Sequence, residues 1–321
     1  MTTKLRVLTL LEQKRGQSIS GESMAAELSL SRNSVWKAIQ ELRREGYQIS
    51  AGQNRGYMLD FENDIISVQG MLPFLQNPGS ADNIKVFDSV ENTNKTAKEL
   101  AISGAEHGTA VIANYQTAGR GRFNRSFFSP EGGLYLSVVL HPERLALESP
   151  TLVTAFAAVS ACRVIERLCG RKPAIKWVND IFLDKRKLCG ILTEAVTDFE
   201  SGVIQWIVVG IGVNFSIKKE DFPPELRDTA TSLYPTGKAE LTRNQLAAEL
   251  INALTADVNA IDLPGEYKSR LMMLGEKITV NAANESFTAT ATDIDALGRL
   301  VIEHEDGRRQ ALSAGEISIR L

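Results

Sequence analysis

The residues best suited to chemistry lie in one short run, Ala118-Gly119-Arg120-Gly121-Arg122, where two arginines sit on a glycine-loosened backbone after a strand-like stretch. Glycine opens backbone conformations closed to other residues and lets main-chain N–H groups approach a ligand, while guanidiniums pair bidentately with carboxylate or phosphate oxygens. Such a loop suits an anion and is expected to order around one. Gly-Arg repeats also occur in solvated loops and nucleic-acid-binding segments, so the run alone leaves those readings open. Other chemistries are poorly served. His107, His141 and His304 are scattered, without a metal cluster or triad spacing, and Cys162, Cys169 and Cys189 show no metal-ligand spacing. The cysteines read as buried free thiols, nucleophilic protein catalysis is disfavoured, and no residue is assigned as a metal ligand.

The elements that must position this loop come from a chain of 321 residues, 43% hydrophobic and 23% charged, enough for about two or three domains. No apolar run reaches the roughly 18 residues of a membrane span, and the N-terminus lacks the apolar core and cleavage site of a signal peptide. A cytoplasmic protein with no membrane partner is expected. The net charge is −3, yet residues 1–60 carry nine Lys/Arg against six Asp/Glu, so the polarity is segregated.

That basic segment reads as a DNA-binding head. Residues 4–14 form a first helix, Ser20 or Gly21 starts a second with Met24, Ala25 and Leu28 inward, and Ser31 caps a third. Val35, Ile39 and Leu42 recur at helical spacing, leaving Ser31, Arg32, Asn33, Ser34, Lys37 and Gln40 on polar faces where side chains meet bases and phosphates. Gly52-Gln53-Asn54-Arg55-Gly56-Tyr57 resembles the tip of a hairpin wing, with Arg55 a further DNA contact. The whole is a winged helix-turn-helix, though a protein-interaction module of the same shape stays open. Its modest charge implies weak binding by one copy, so a homodimer on two-fold operator DNA is expected.

From about residue 84, strands alternate with helices: strands at 84–87, 109–114, 134–140 (with alternating partners), 175–178, 181–183, 188–196 and 205–214, and helices at 95–102 and 150–168. The turn Asp184-Lys185-Arg186-Lys187 joins two strands. Hairpin-like connections predict a mixed sheet backed by helices on one face, an α+β rather than doubly wound arrangement. A dinucleotide fold is disfavoured because Gly210-Ile211-Gly212 lies inside a strand with no helix following. Residues 216–241 read as a long loop that covers a site. Residues 246–261 are expected as a helix, then a break at Pro264-Gly265, a last helix to 274, and strands at 277–281, 287–293, 300–303 and 317–320.

At this point five motifs carry a family resemblance. Asn92-Thr93-Asn94, Tyr115 to Arg122, Lys176-Trp177-Val178-Asn179-Asp180, Arg186-Lys187-Leu188-Cys189-Gly190-Ile191-Leu192 and Gly210-Ile211-Gly212-Val213-Asn214 stand in the order and spacing of biotin protein ligases. With its winged helix the chain resembles the bifunctional ligase and repressor kind. The resemblance implies a winged helix-turn-helix over 1–62, a catalytic domain with a mixed-sheet α/β fold of the biotin/lipoate ligase type over 63–274, and an SH3-like β-barrel over 275–321, with Gly315-Glu316-Ile317-Ser318 as closing motif or ordinary turn.

The implied reaction joins biotin to ATP as biotinyl-5′-adenylate, then transfers biotin to a lysine of the biotin carboxyl carrier protein of acetyl-CoA carboxylase, with Mg2+. Bringing a carboxylate to a triphosphate needs fixed cations, for which Arg120, Arg122 and Lys187 are the choices. The resemblance assigns Asn92, Thr93, Asn94, Gln116, Gly121, Gly190 and Gly210 to biotin, together with those three cations. It assigns Lys176, Asn179 and Asn214 to the nucleotide, again with Arg120, Arg122 and Lys187, and Asp180 to catalysis. Asn92 stands where the family usually has Ser, Val178 where it has Pro, Asn124 where Gly is frequent and Phe127 where Trp is. Asn92 can equally be a helix cap, Lys176 and Asp180 can pair with each other, and Gly210 and Gly212 can mark a bulge. Besides the ligase-repressor, a biotin-sensing repressor without catalysis and a lipoate-type ligase remain as alternatives.

Overall fold

A computed structural model describes residues 1–52, 56–145, 147, 149–197, 203–281, 286–313 and 316–319. Arg55 and Gly315 lie outside the described residues. The chain divides into two compact units, residues 1–86 with 239–249, and residues 87–238 with 250–321.

In the first unit, helices α1 (Thr3–Gln13), α2 (Gly21–Glu27) and α3 (Arg32–Arg44) precede a hairpin of β1 (Ile49–Gly52) and β2 (Gly56–Leu59). Each helix begins on a hydroxyl cap: the oxygens of Thr2, Ser20 and Ser31 accept from the N–H groups of Leu5, Ser23 and Ser34. Such caps contribute about 1 kcal/mol each. Val35, Ile39 and Leu42 are fully buried against Val7, Leu8, Met24 and Leu59, as their spacing requires. The other side of α3 exposes Arg32, Asn33 and Lys37, with Ser34 and Gln40 half-buried. Gly56 has φ +82°, and a Cβ there would meet the Ile19 carbonyl oxygen at 2.1 Å, so only glycine lets the wing strand pass Ile19.

Beyond the wing lies the short helix α4 (Val68–Met71). The segment leading to it is fastened by the first residues of the helix Arg243–Leu254. Arg243 donates from its backbone N and its Nε to the Asp64 carboxylate at 2.8 and 2.6 Å. Asn244 is fully buried; its Nδ2 donates to the Ile65 carbonyl at 2.8 Å and its Oδ1 accepts from the Ser67 N–H at 2.9 Å. Asn244→Ala leaves both backbone groups unpaired, at about 1–3 kcal/mol each. Urea unfolding is expected to show a loss of at least about 2 kcal/mol.

The second unit is built on a seven-stranded mixed sheet in the order β3-β4-β5-β9-β8-β7-β6. Its strands are β3 (Ile84–Val90), β4 (Ala110–Gln116), β5 (Leu134–Leu140), β6 (Ala174–Lys176), β7 (Asp180–Leu183), β8 (Arg186–Thr197) and β9 (Ile204–Val213). Neighbours from β4 across to β6 run antiparallel. The β7–β8 turn is tight because Asp184 and Lys185 both adopt positive φ, 48° and 62°, so Arg186 and Lys187 already belong to β8.

Its helices are α5 (Thr93–Ile102), α6 (Pro142–Leu145), α7 (Pro150–Cys169) and α9 (Leu263–Arg270), while α8 (Arg243–Leu254) begins in the first unit and ends in the second. The expectation that they back one face is corrected by the register. Ala97 and Ala101 of α5 pack on Val111, Val139 and Val208, whereas Thr154 of α7 hydrogen-bonds Thr193 at 2.9 Å. Thr193 pairs with Val209, and Glu194 with Val208, so α5 and α7 lie on opposite faces. The reason is legible in β5, all seven of whose residues are buried instead of alternating: a strand apolar on both sides needs cover on both.

Two helix boundaries also differ from expectation. Helix α8 stops at Leu254, where the Thr255 hydroxyl bonds back to the Ile251 carbonyl at 2.8 Å. Pro264 starts α9 instead of breaking it, because proline lacks only an N–H that a first turn leaves unpaired, and Asp262 supplies the cap. Helix α9 is stapled to α7 by two arginines and two glutamates: Arg163 Nε donates to Glu266 at 2.7 Å, and Arg270 Nη2 donates to Glu266 at 2.9 Å and to Glu166 at 2.6 Å. The hydrogen bond from Arg163 holds the Glu266 carboxyl below its ordinary range. A depressed carboxyl pKa stabilises the fold above the unfolded value, about 4.3, and the contribution vanishes as pH falls through the lower folded value. Thermal unfolding should therefore lose stability on acidification through that window, and Glu266→Gln should flatten the loss.

The C-terminal part is a five-stranded antiparallel sheet, β13-β12-β11-β10-β14. Its strands are β10 (Lys277–Asn281), β11 (Ser286–Ile294), β12 (Leu300–Glu303), β13 (Arg309–Leu312) and β14 (Glu316–Ile319). Strand β13 escapes sequence reading because three of its four residues are exposed and only Leu312 turns inward. The sheet docks where Trp177 Nε1 donates to the Gly298 carbonyl at 3.0 Å.

Candidate active site

Register builds the site. Tyr135 of β5 pairs with Gly212 of β9, Gly212 with Gly190 of β8, Gly190 with Asp180 of β7, and Asp180 with Lys176 of β6. Cross-strand partners point to the same face, so these five residues form one row across the sheet. Two residues along the strands, about 7 Å away, Ser137, Gly210 and Leu192 form a second row. All eight lie on the α5 face, and all but Ser137 line a cavity of about 830 Å³.

The glycines in the rows make room. A Cβ on Gly212 would meet the Phe127 ring at 2.5 Å, one on Gly190 would meet it at 3.0 Å, and one on Gly210 would meet Asn94 Oδ1 at 2.0 Å. Pairing runs unbroken through both Gly210 and Gly212, which removes the bulge reading. Phe127 thus lies on a glycine floor as an apolar wall.

Above the second row sits a polar cluster that presents only neutral side chains to the cavity, Asn92, Thr93, Asn94 and Gln116. Thr93 donates from its backbone N to Gln116 Oε1 at 2.8 Å, and Gln116 Nε2 donates to Ser129 Oγ at 2.8 Å. Ser137 Oγ lies 2.7 Å from both Thr93 Oγ1 and Asn94 Oδ1 with one proton to give. Asn94 Nδ2 donates to the Leu192 carbonyl and to Glu194 Oε2, at 3.1 and 2.7 Å. Asn92 Oδ1 accepts from the Lys95 N–H at 2.8 Å, so its carboxamide oxygen caps α5.

The first row leads to charge. Lys187 Nζ is 2.7 Å from Asp180 Oδ1 and 5.8 Å from the centre of the Phe127 ring. Asp180 therefore pairs with Lys187, and the Lys176 ammonium lies over the Phe182 ring at 5.8 Å. Both backbone groups of Lys187 are bridged, its N–H to Thr229 at 2.8 Å and its carbonyl from Thr231 at 2.9 Å. Asn214, buried, donates to the Thr231 carbonyl at 3.1 Å; Asn179 Nδ2 donates to the Ile191 carbonyl at 2.8 Å. The 216–241 segment contributes Phe222, Leu226, Asp228, Thr229 and Ala230 to the cavity wall, in line with its reading as a cover.

Backbone hydrogen bonds shape the Gly-Arg loop. Phe127 N donates to the Gly119 carbonyl and Gly121 N to the Arg125 carbonyl, both at 2.8 Å, while Ala118 N donates to the Glu91 carbonyl at 2.8 Å. A Cβ on Gly119 would meet the Phe127 carbonyl oxygen at 2.4 Å, so this glycine is set by close packing. The loop turns at Phe123 and Asn124, with φ of 55° and 57°. Asparagine tolerates that left-handed region where glycine would be easiest; for Phe123 it is strained. Arg122 lies over the Phe123 ring at 5.0 Å and 3.5 Å from Asn179 Oδ1. Arg120, more than half exposed, sits 3.8 Å from Glu91.

Every residue assigned from sequence to biotin, nucleotide or catalysis lines this one cavity: Asn92, Thr93, Asn94, Gln116, Arg120, Gly121, Arg122, Lys176, Asn179, Asp180, Lys187, Gly190, Gly210 and Asn214. Tyr135, which lines the cavity, and Ser137 and Glu194, which hold the lining residue Asn94, were missed, since only strand register brings them together. Burial pushes the Cys162 thiol up to about 12 and that of Cys189 higher still, so neither supplies a thiolate.

The chain matches the Biotin/lipoate A/B protein ligase family model over residues 86–214, an HTH domain model over 3–58 and the Biotin protein ligase C terminal domain model over 273–320. It is 33% identical to the bifunctional ligase/repressor BirA of Bacillus subtilis over 98% of both chains. To BirA of Escherichia coli it is 32% identical over 99% of this chain and 98% of that one. Among solved structures, the biotin protein ligase of Aquifex aeolicus in complex with biotin and ATP superposes with a TM-score of 0.63 at 25% identity, covering 74% of this chain and 98% of that one. The row of glycines, the Gly-Arg loop and the helix-turn-helix head thus have one common setting: the chain belongs to the biotin protein ligase family, among its bifunctional ligase/repressors.

Proposed function

We propose that this chain activates biotin with ATP and hands it to a lysine of a biotin carboxyl carrier protein, and that the intermediate, biotinyl-5′-adenylate, makes it a dimeric repressor of the biotin operon in the cytoplasm. We assign residues 1–62 to DNA binding, 63–274 to catalysis and 275–321 to the C-terminal sheet. One observation carries the reading of the site: the cavity has a neutral hydrogen-bonding end about 7 Å along the strands from a row that ends in Asp180 and Lys176, with the Lys187 ammonium paired to Asp180. That asymmetry fits a molecule with a ureido ring at one end and a carboxylate at the other.

In the first step a carboxylate oxygen of biotin attacks the α-phosphorus of ATP, the bond to pyrophosphate breaks, and the mixed anhydride remains. Lys187, Arg120 and Arg122 offset the repulsion between the anions and stabilise charge growing on the phosphate and leaving group. Gln116 and Thr93 hold the ureido end, and Phe127 and Tyr135 flank the apolar middle. Asn179, Asn214 and Lys176 serve the nucleotide. In the second step the carrier amine attacks the acyl carbon, AMP leaves, and the amine proton is lost, with Asp180 placed to accept a hydrogen bond from the incoming nitrogen.

Mg2+ would be carried in on the triphosphate and held by one or two carboxylates, here Asp180 or Asp228. When bound, it neutralises triphosphate charge. Among the described residues no helix is long and apolar enough to cross a membrane.

Gln116→Ala should raise KM for biotin by about tenfold to a hundredfold, the loss of one or two hydrogen bonds, with KM for ATP little changed. Separate titrations of the two substrates check it. The function itself is tested by incubating the protein with labelled biotin, ATP, Mg2+ and a purified carrier domain, with lipoate as competitor. Label is expected on the carrier only with ATP, and excess lipoate should leave it there. Transfer of lipoate in place of biotin would instead make this a lipoate-type ligase. Dimerisation is read by sedimentation with and without biotin plus ATP; an unchanged association constant would separate repression from the adenylate.

A further inference from the structure

The chain has three tryptophans, and the second unit uses two of them internally. Trp177 is 3% exposed and bonded to Gly298, and Trp206 meets the His141 ring edge-on at 3.8 Å. Trp36 is different. It is 51% exposed on α3 and stands outside the hydrophobic cluster that holds the first unit together. The core gains little from this indole, so its surroundings on the helix must say what it is for.

Helical spacing puts Arg32 one turn before Trp36, Gln40 one turn after, Asn33 three positions before, and Lys37 beside it. The first turn of α3 carries no acidic residue. Glu41, five positions on, is rotated by about 140° from Trp36 and so off this stripe. The indole is thus an apolar plate at the centre of a polar stripe whose charges are Arg32 and Lys37, with Arg32 4.0 Å from Glu22 of α2. A protein partner would favour an apolar patch around it, whereas a polyanion favours the flanking charges. Among base edges in the major groove, the apolar group is the C5-methyl of thymine.

We propose that Trp36 is a base-reading residue, its indole packing on a thymine methyl in the major groove while Arg32 and Lys37 engage the neighbouring phosphates. This rests on the reading of α3 as the DNA-contacting helix. It adds to the polar set a position that discriminates thymine from cytosine and uracil through an apolar contact.

The test begins by selecting duplexes from a random-sequence pool with the full chain in the presence of biotin, ATP and Mg2+. Affinities are then measured for the selected duplex and for copies in which single thymines are replaced by deoxyuridine. The wild-type protein should lose about tenfold or more at one position per half-site. Trp36→Ala should bind the thymine duplex at least tenfold more weakly and no longer distinguish thymine from uracil there, with Trp36→Phe in between. The deoxyuridine series on the wild-type protein stands even if a variant misfolds, and no loss at any thymine would overturn the proposal, as would equal losses in wild type and Trp36→Ala. Lys37→Ala separates the two readings. If it weakens selected and unselected DNA alike while Trp36→Ala binds as wild type, the base-reading role falls and the DNA-contacting helix stands; if Lys37→Ala also binds as wild type, both fall. A Trp36→Ala change that shifts self-association without DNA and leaves base preference intact would assign the indole to a contact between copies and overturn the proposal.

Discussion

Replacing Lys187 by alanine is expected to lower kcat/KM for adenylate formation by about 10²–10³, or roughly 3–4 kcal/mol of transition-state stabilisation, the usual effect of removing one fixed donor from a site of developing charge. The fold should survive, because what Lys187 gives the structure is its backbone: the bonds to Thr229 and from Thr231 persist in alanine. The ammonium meets Asp180 at 2.7 Å, and that pair is part-exposed, so its loss should cost little stability. Stopped-time measurement of adenylate with a circular dichroism melt separates the two effects. Near-normal adenylate formation would remove Lys187 from the mechanism; a collapsed melt would show that the ion pair is structural.

The second large effect is steric. Gly210→Ala sets a methyl 2.0 Å from Asn94 Oδ1, and the Asn94 carboxamide cannot swing away freely because Ser137, Glu194 and the Leu192 carbonyl hold it. Overpacking of this kind costs about 1–3 kcal/mol. Displacing Asn94 also disturbs Ser137 and, through it, Thr93, so biotin affinity should fall by about tenfold or more, an amount equivalent to one hydrogen bond. The double variant Gly210→Ala with Asn94→Ala should recover part of the lost stability, since the two groups that collide are no longer both present. Stability within about 0.5 kcal/mol of wild type, the range of a harmless surface change, together with unaltered biotin binding, would contradict the packing described for this row.

What could be read in advance was what short stretches of chain determine. The burial of Val35, Ile39 and Leu42 follows from spacing within one helix, and the Ser31 cap from its neighbours. The five motifs named most polar residues of the cavity; those they omitted reach it through strand pairing, as Tyr135 does, or on loops, as Arg125, Ser126, Asp228 and Thr229 do. Tyr135 and Ser137 are the instructive misses: β5 pairs with β9, more than sixty residues later in the chain, and no local pattern states that register. The cover on both faces of the sheet was missed for a related reason, since β5 is buried throughout and yields no period to read. Pro264 misled because the same residue ends a helix from inside and begins one in the first turn. The Gly-Arg loop was read for the anion it suits, and no local pattern shows that Gly119 is also set by close packing on the Phe127 carbonyl.

The central claim is that one cavity with a neutral end and a cationic end forms an adenylate from biotin and ATP. It is tested most directly by isotope exchange between pyrophosphate and ATP, which needs no carrier protein and no DNA. Exchange that appears only when biotin is added, and disappears in Lys187→Ala, is the result this account predicts. Folded protein that binds biotin and ATP but shows no biotin-dependent exchange would contradict it.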